Sequence, residues 1–225
     1  MNIKILGTRG EIKESKPYHS RHSGVFIDNQ LLFDLGEKEF LKYNPKYIFI
    51  THLHPDHAFF VRDGEIPKKT KIFAPEKLKG FDINKFTGTK KINSYKITAI
   101  PTIHSKKVKS QTYLVEKDKK ILYTGDMIWI KKKYHPKLKN LDLVIMEGSF
   151  IKKGGMIRRD KEGNIYGHQG IPNLINLFEK FTDKIIITHL GSWFYKSAKK
   201  SRKKVKKIPK TAEVKIAYDG MRLKI

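Results

Sequence analysis

The residues best suited to chemistry lie in the short segment His52-Leu53-His54-Pro55-Asp56-His57, which directly follows the apolar segment Tyr47–Ile50. Three imidazoles and one carboxylate therefore fall within six positions at the end of a predicted strand. Each such group needs a hydrogen-bond partner when it is buried, and this many cannot all be satisfied as ordinary core residues. A metal ion would satisfy them together, so the segment predicts a metal site.

Further potential ligands follow predicted strands later in the chain. His104 follows Lys96–Ile100, Asp126 follows the strand that ends at Thr124, and His189 follows Ile185–Ile187. Taken singly, each could be a satisfied histidine or a turn carboxylate. If the strand ends converge on one rim, the ligands meet there. Such an imidazole-rich set favours zinc, manganese or iron over calcium or magnesium.

The order of these motifs resembles the metallo-β-lactamase superfamily of dinuclear metallohydrolases. His-x-His-x-Asp-His, a separate His, Thr-Gly-Asp and Thr-His occur in the family's order between Gly7 and about His189. The resemblance implies a four-layer αββα sandwich of the α/β class that holds two divalent metal ions. It also implies that one metal is bound by His52, His54 and His104, that the other is bound by Asp56, His57 and His189, and that Asp126 bridges them.

Two later segments are similar to ribonuclease Z. In Asp142–Phe150 an acidic residue, Glu147, follows a strand, although Met146 stands where that enzyme usually has a histidine. Gly167-His168-Gln169 is similar to a histidine-led start of a helix. The resemblance implies that Glu147 and His168 assist the leaving group. Alternatively, they are a strand-end carboxylate and a histidine bonded to the backbone.

Other branches of the superfamily fit less well. Zinc β-lactamases commonly carry a cysteine in place of the bridging carboxylate, and this chain has none. Diiron flavoproteins need an additional flavin domain. Ribonuclease Z grips tRNA with a long arm, but the interval from His57 to His104 contains ordinary strand and helix sequence. A smaller phosphodiester therefore remains open as the substrate.

The leading functional hypothesis is metal-dependent hydrolysis of a phosphodiester. Water activated by the metal pair would attack phosphorus, Asp56 would accept its proton, and His168 would protonate the leaving oxygen. Hydrolysis of a carboxylic ester, lactone or thioester is the main alternative, because the same nucleophile attacks carbonyl groups. A third hypothesis is a nucleic-acid-binding protein that keeps its metals without catalysis.

The charge of the chain favours an anionic partner. Its 225 residues include 48 Lys and Arg but 22 Asp and Glu, which gives a net charge of +26. An excess of this size attracts polyanions, so an anionic substrate is expected, either RNA or DNA or another phosphorylated partner; a solvated lysine coat is the alternative. The segment Lys196–Lys210 holds nine of the cations and no acid.

Aromatic and basic residues could extend such an interface. Phe194 and Tyr195 precede the basic segment and could stack on bases, or could pack inward with the helix. His19, Arg21 and His22 could line the cleft and contact phosphate, or could lie exposed in a loop.

Hydrophobic periodicity predicts one domain, residues 1–225, with interspersed helices. Helices are expected at Glu37–Tyr43 and about Gly170–Phe181. No run is long enough for a membrane span and no signal peptide is recognised, so we expect a cytoplasmic protein; its oligomeric state stays open, with a homodimer compatible. Strands are expected at Asn2–Leu6, Gly24–Asp28, Leu31–Asp34, Tyr47–Ile50, Lys71–Ala74, Lys96–Ile100, Gln111–Glu116, Lys120–Thr124, Leu141–Met146, Ile185–Ile187 and Glu213–Tyr218.

Overall fold

The computed structural model describes residues 1–66 and 70–225. One sheet forms mostly from the first half of the chain and gains its outer strand from the C-terminus, in the order β17-β1-β2-β3-β4-β5-β6. Its strands are β1 (Asn2–Gly7), β2 (Gly24–Ile27), β3 (Leu31–Phe33), β4 (Tyr47–Phe49), β5 (Lys71–Ala74), β6 (Ile83–Lys85) and β17 (Arg222–Lys224).

The second sheet forms from the middle and C-terminal parts of the chain. Its order is β11-β8-β9-β10-β12-β15-β16, and β7 pairs with β8. The strands are β7 (Gly88–Ile92), β8 (Tyr95–Ile103), β9 (Gln111–Glu116), β10 (Lys120–Tyr123), β11 (Trp129–Ile130), β12 (Leu143–Gly148), β15 (Lys184–Leu190) and β16 (Glu213–Ile216). A separate hairpin pairs β13 (Met156–Arg159) with β14 (Ile165–His168).

Helices cover the outer faces of both sheets. The 3-10 helix Lys38–Tyr43 and α1 (Phe60–Asp63) pack on the first sheet through Phe40 and Phe60. The second sheet is covered by α2, α3 and α4, and a further 3-10 helix packs beside them through Leu138. These helices are α2 (Ile171–Phe178), α3 (Ser192–Lys196), α4 (Ala198–Lys206) and the 3-10 helix Lys132–Leu138.

The main core lies between the sheets. Phe33 and Phe49 of the first sheet pack with Tyr113 of the second, and all three are fully buried. Removing such large apolar side chains from water stabilises the fold and fixes how the two sheets face each other. The layers therefore run helix, sheet, sheet, helix, and the predicted αββα sandwich is confirmed.

Several predicted elements differ from the structure. Helix α2 begins at Ile171, so His168 does not open it but ends β14 of the hairpin. The sequence analysis missed β6, β7, β11, β13, β14 and β17, which are short or rich in polar residues. The interval from His57 to His104, expected to lack an arm, contains α1 and β5 to β8, while its residues 67–69 lie outside the described part.

In the described ranges, 1–66 and 70–225, no helix combines the length and apolar character that crossing a membrane requires.

Candidate metal centre

The candidate ligands lie at one rim because parallel strands end there. In the first sheet β3, β4 and β5 are parallel, and the segment Thr51–His57 follows β4 closely. In the second sheet β10, β12 and β15 are parallel; Asp126 follows β10 and His189 lies near the end of β15. Side chains from both sheets consequently face each other across the same rim.

Three histidines form the first group of ligand atoms. His52 Nε2 lies 3.0 Å from His54 Nδ1, which lies 3.4 Å from His104 Nε2. Burial, together with neighbouring imidazoles, lowers the pKa of His52 well below its ordinary value and that of His54 to about 4. Burial also lowers the pKa of His104. Neutral imidazoles result, which is the form that binds metal.

A second group combines carboxylates with imidazoles. His189 Nε2 lies 2.8 Å from Asp56 Oδ2, and His57 Nε2 lies 3.6 Å from the same oxygen. Burial alone would raise the pKa of Asp56, but His57 and His189 lower it below its usual range. Asp56 therefore adds an anionic oxygen to this group, which the three histidines of the first group lack.

A backbone irregularity directs His189 into this group. The register between β12 and β15 pairs Glu147 with Thr188 and Gly148 with Leu190, so His189 is the extra residue of a bulge. Its φ of 48° lies in the left-handed region, which is unfavourable for a side chain with a Cβ. Bulges redirect side chains near functional sites, and here the bulge turns the imidazole toward Asp56.

Asp126 lies between the two groups. Its Oδ1 is 3.3 Å from both His57 Nε2 and His189 Nδ1, whereas its Oδ2 is 3.8 Å from both His52 Nε2 and His104 Nε2. The preceding Gly125 adopts φ 56°, and a Cβ there would approach the Thr51 side chain to 2.6 Å. A glycine thus allows the close approach that places Asp126 in the centre.

Two buried atoms support a metal in this position. Within the described residues, His57 Nε2 and Asp126 Oδ1 have no hydrogen-bond partner although both are buried. Leaving such atoms unsatisfied costs about 1–3 kcal/mol each. The donor set converges within 4.8 Å in two main groups, so the residues present fit divalent metal ions.

Asp34 is a residue of the candidate site that the sequence analysis missed. This fully buried carboxylate accepts hydrogen bonds from the Thr51 N–H (2.7 Å) and the Tyr123 hydroxyl (2.8 Å), and its Oδ2 lies 2.7 Å from His57 Nδ1. A carboxylate on the far nitrogen fixes the orientation of a ligand histidine. Its position directly after β3 and two residues before Gly36 was the available sequence signal.

Glu147, His168 and Ser149 form a hydrogen-bonded cluster beside Asp126. Glu147 Oε2 accepts from the Ser149 hydroxyl (2.5 Å) and lies 2.9 Å from His168 Nδ1, while Oε1 accepts from the Met127 N–H (2.7 Å). Burial alone would lower the pKa of His168, but the Glu147 carboxylate raises it to about 9. The pair predicted from sequence is thus brought together, 3.8 Å from Asp126.

The candidate ligands open into a cavity of about 590 Å³. Its walls are partly apolar, with Phe150 and Trp193, and Lys152 and Lys196 are its lysines. The Trp193 indole N–H donates to the Gly148 carbonyl (2.7 Å), which fixes the ring. The cavity therefore offers space, aromatic surface and positive charge next to the candidate ligands.

The residues near the N-terminus that were considered for the cleft lie elsewhere, so that alternative was wrong. His19 is buried and contacts Thr8 and Arg202, Arg21 pairs with Glu39, and His22 pairs with Glu37. None of the three lines the cavity around the candidate ligands.

The expected stacking residues are also unavailable to a ligand. Phe194 is fully buried in the core beneath the second sheet, and Tyr195 is 4% exposed, with its hydroxyl donating to the His19 carbonyl. The inward-packing alternative is therefore correct, because α3 turns its apolar face to the core.

The four layers and the imidazole and carboxylate cluster at their rim define a metal-dependent hydrolase. Residues 23–156, more than half of the chain, match the family model of the metallo-beta-lactamase superfamily, and the chain belongs to that superfamily. A search of curated proteins found no match.

Solved structures share this fold over the whole chain. The metallo-beta-lactamase fold protein YhfI from Bacillus subtilis is 18% identical, with a TM-score of 0.73 over 99% of this chain and 98% of that chain. A diphosphatase from the PhnP family is 17% identical, with a TM-score of 0.71 over 100% and 97%. Human tRNase Z, short form, is 19% identical, with a TM-score of 0.65 over 100% and 99%.

Proposed function

We propose that this protein hydrolyses phosphodiester bonds in a nucleic acid or a nucleotide-like substrate, using two divalent metal ions. The observation that carries the proposal is the hydrogen-bonded pair of Glu147 and His168 beside Asp126, at the edge of the cavity. A phosphodiester releases an alkoxide, a poor leaving group that benefits from a proton donor. A leaving-group acid next to a metal centre matches that need.

The metal ions would be held by the two groups of ligand atoms. His52, His54 and His104 would hold one, and Asp56, His57 and His189 the other, with Asp126 bridging them. Zinc suits this set best, with manganese or iron as alternatives. When bound, such ions lower the pKa of water and withdraw charge from the phosphoryl oxygens.

The remaining steps belong to side chains of this chain. Asp56 accepts the proton of the attacking water, because its carboxylate lies among the candidate ligands and lines the cavity in which that water would stand. His168 donates a proton to the leaving oxygen, and Glu147 stabilises the charged imidazole and keeps it oriented. Ser149, which donates to Glu147, holds the carboxylate in place.

Substrate charge is matched by the two lysines of the cavity, Lys152 and Lys196, which can contact phosphate oxygens. Two proteins of the same fold, the diphosphatase and tRNase Z, carry names that describe phosphate chemistry, which supports this substrate class.

A substrate panel tests the proposal. The metal-loaded protein is compared on bis(p-nitrophenyl) phosphate, a dinucleotide, a cyclic nucleotide and p-nitrophenyl butyrate. We expect phosphodiester turnover that a chelator abolishes and that zinc, manganese or iron restores. Turnover of the carboxylic ester with no turnover of any phosphodiester would overturn the proposal.

The second candidate is hydrolysis of a carboxylic ester, lactone or thioester. It is favoured by the apolar part of the cavity wall, where Ile12, Phe150 and Ile151 line the space beside the candidate ligands. A thioester releases a thiolate, which is less basic than an alkoxide and needs no proton donor of the kind that His168 provides, so the pair with Glu147 favours the phosphodiester over a thioester. Alkyl esters and lactones also release an alkoxide, and the substrate panel separates them from the phosphodiester.

A further inference from the structure

A second basic surface lies outside the cavity described above. Two adjoining grooves of about 450 and 430 Å³ run along α4, and both are lined by Arg202 and Tyr218. The cations that line them are Lys16, Lys199, Arg202, Lys203, Lys206 and Lys215. None of the candidate metal ligands lines either groove.

Most of this positive charge is not neutralised. Within residues 1–66 and 70–225, Lys199, Lys203 and Lys206 form no ion pair, and all three are exposed. Lys215 is the exception, since it pairs with Glu213 at 2.6 Å. The nearby Asp219 is already occupied by the Thr8 hydroxyl and by backbone N–H groups of the Ser20 region. The uncompensated lysines favour an anionic ligand.

Arg202, which lines both grooves, is held in position by two hydrogen bonds. One terminal nitrogen donates to the Ile216 carbonyl (2.8 Å), and the other donates to His19 Nε2 (3.1 Å). A guanidinium has five N–H donors, so others remain for a ligand. An oriented arginine loses little side-chain entropy when it binds phosphate.

Aromatic side chains provide an independent indication of the ligand. Tyr218 is 44% exposed and Tyr18 is 71% exposed, and they are two of the three large hydrophobic side chains found exposed in the described residues. Both line the groove that also contains Arg202. Exposed rings interleaved with cations are the arrangement that binds single-stranded nucleic acid, in which bases stack and phosphates pair with lysine.

We infer that the surface formed by Tyr18, Tyr218, Arg202 and the lysines of α4 binds single-stranded nucleic acid. Lys196 lines the metal cavity and is followed two residues later by the start of α4, so the α3–α4 segment borders both sites. Helix α4 is about 13 Å long, which suits contact with a few nucleotides. This surface holds the strand by itself, and its binding does not rest on hydrolysis.

Binding is measured with the full chain, by fluorescence anisotropy of labelled oligo-dT and oligo-U of about 15 nucleotides, in a chelator that prevents turnover. The variant K199A/K203A/K206A is expected to lose about 100-fold in affinity at ~0.1 M salt. The slope of log affinity against log salt concentration, which is negative, should become shallower by about 2. The matched control K200A/K204A/K207A removes the same charge from the same segment at residues that line neither groove, and is expected to stay within about threefold of the parent protein.

The aromatic contribution is tested separately. Tyr218→Ala is expected to weaken binding of the single strand about tenfold, and Tyr18→Ala less, because Tyr218 lines both grooves. Tyr218→Phe keeps the ring and should bind as the parent does. An equal loss in both lysine triple variants, or no loss in Tyr218→Ala, would overturn the inference and indicate a non-specific polyanion surface.

Catalytic assays separate this inference from the proposed function. If both are correct, K199A/K203A/K206A raises KM for an oligonucleotide and leaves turnover of bis(p-nitrophenyl) phosphate unchanged. If no phosphodiester is hydrolysed, the binding result still stands. Loss of oligonucleotide binding in the control triple variant alone would contradict the placement of the site on this face of α4.

Discussion

The metal centre and the groove along α4 use charge in opposite ways. At the metal centre, His52, Asp126 and Glu147 are almost completely buried, and their polar atoms lie 2.5–3.8 Å from those of neighbouring side chains. Along α4, by contrast, Lys199 and Lys203 extend into solvent without ion pairs in the described part of the chain. Chemistry depends on the position of single atoms, whereas binding sums many screened contacts. Single substitutions should therefore be severe in one region and mild in the other.

The largest effect is expected from Asp126→Asn, which replaces the carboxylate with an uncharged amide of similar shape. Because Asp126 faces both groups of ligand atoms, the variant should lose phosphodiester turnover to the background rate and bind less metal. Metal content by mass spectrometry and turnover with each metal measure this. Asp82→Asn, at an exposed carboxylate, is the control. Oligonucleotide binding should not change, and unchanged turnover would contradict the bridging role.

The next effect concerns the leaving group. His168→Ala and Glu147→Gln should lower kcat by about 10²- to 10⁴-fold for a dinucleotide, whose alkoxide needs a proton. For bis(p-nitrophenyl) phosphate the loss should be much smaller, because p-nitrophenolate leaves as an anion. Comparison of kcat on the two substrates measures this difference. An equal loss on both substrates would mean that the pair only maintains the structure.

A smaller effect is expected from Asp34→Asn. Asp34 contacts Nδ1 of the His57 ring, on the side away from the candidate ligand atom Nε2, and it does not line the cavity. Because this contact orients the ring, loss of the Asp34 carboxylate should weaken metal affinity about 10- to 100-fold. Competition with a chelator measures the affinity, and excess metal should restore turnover. Tyr123→Phe removes only one of the hydrogen bonds to Asp34 and should have a weaker effect. Full metal affinity in Asp34→Asn would show that the ring of His57 is oriented by other contacts.

The difference between the metal centre and the groove along α4 also explains which features could be predicted from the sequence. The rim of candidate ligands could be predicted because the ligands lie at or within a few residues of the C-terminal ends of strands, and the layers follow from these apolar strands. Asp34 was missed because its contacts with Tyr123 come from a segment 89 residues away. Trp193 was missed for a similar reason, since its bond to Gly148 joins segments 45 residues apart.

The aromatic surface could not be located from local sequence. Phe194 and Tyr195 stand beside the lysine-rich segment, yet α3 buries both of them. Tyr18 and Tyr218 come from opposite ends of the chain and become neighbours through tertiary hydrogen bonds, among them that from the backbone N–H of Asp219 to the Tyr18 carbonyl (2.7 Å). Tertiary contacts, and not the nearest aromatic residue in sequence, decide which ring meets the basic surface.

The smallest effect belongs to Lys196, which lies between the two regions. Its exposed side chain lines the metal cavity, and the Ser197 side chain next to it caps α4. Loss of one exposed cation costs about 0.2–1 kcal/mol, so Lys196→Ala should raise KM about 1.5- to 5-fold without changing kcat. Lys204→Ala is the control, because Lys204 lines none of the three cavities.

A rise in KM for both bis(p-nitrophenyl) phosphate and an oligonucleotide would assign Lys196 to the metal cavity. A rise in KM for the oligonucleotide alone would assign Lys196 to the nucleic-acid surface along α4. That surface would then reach α3 and end at the wall of the metal cavity.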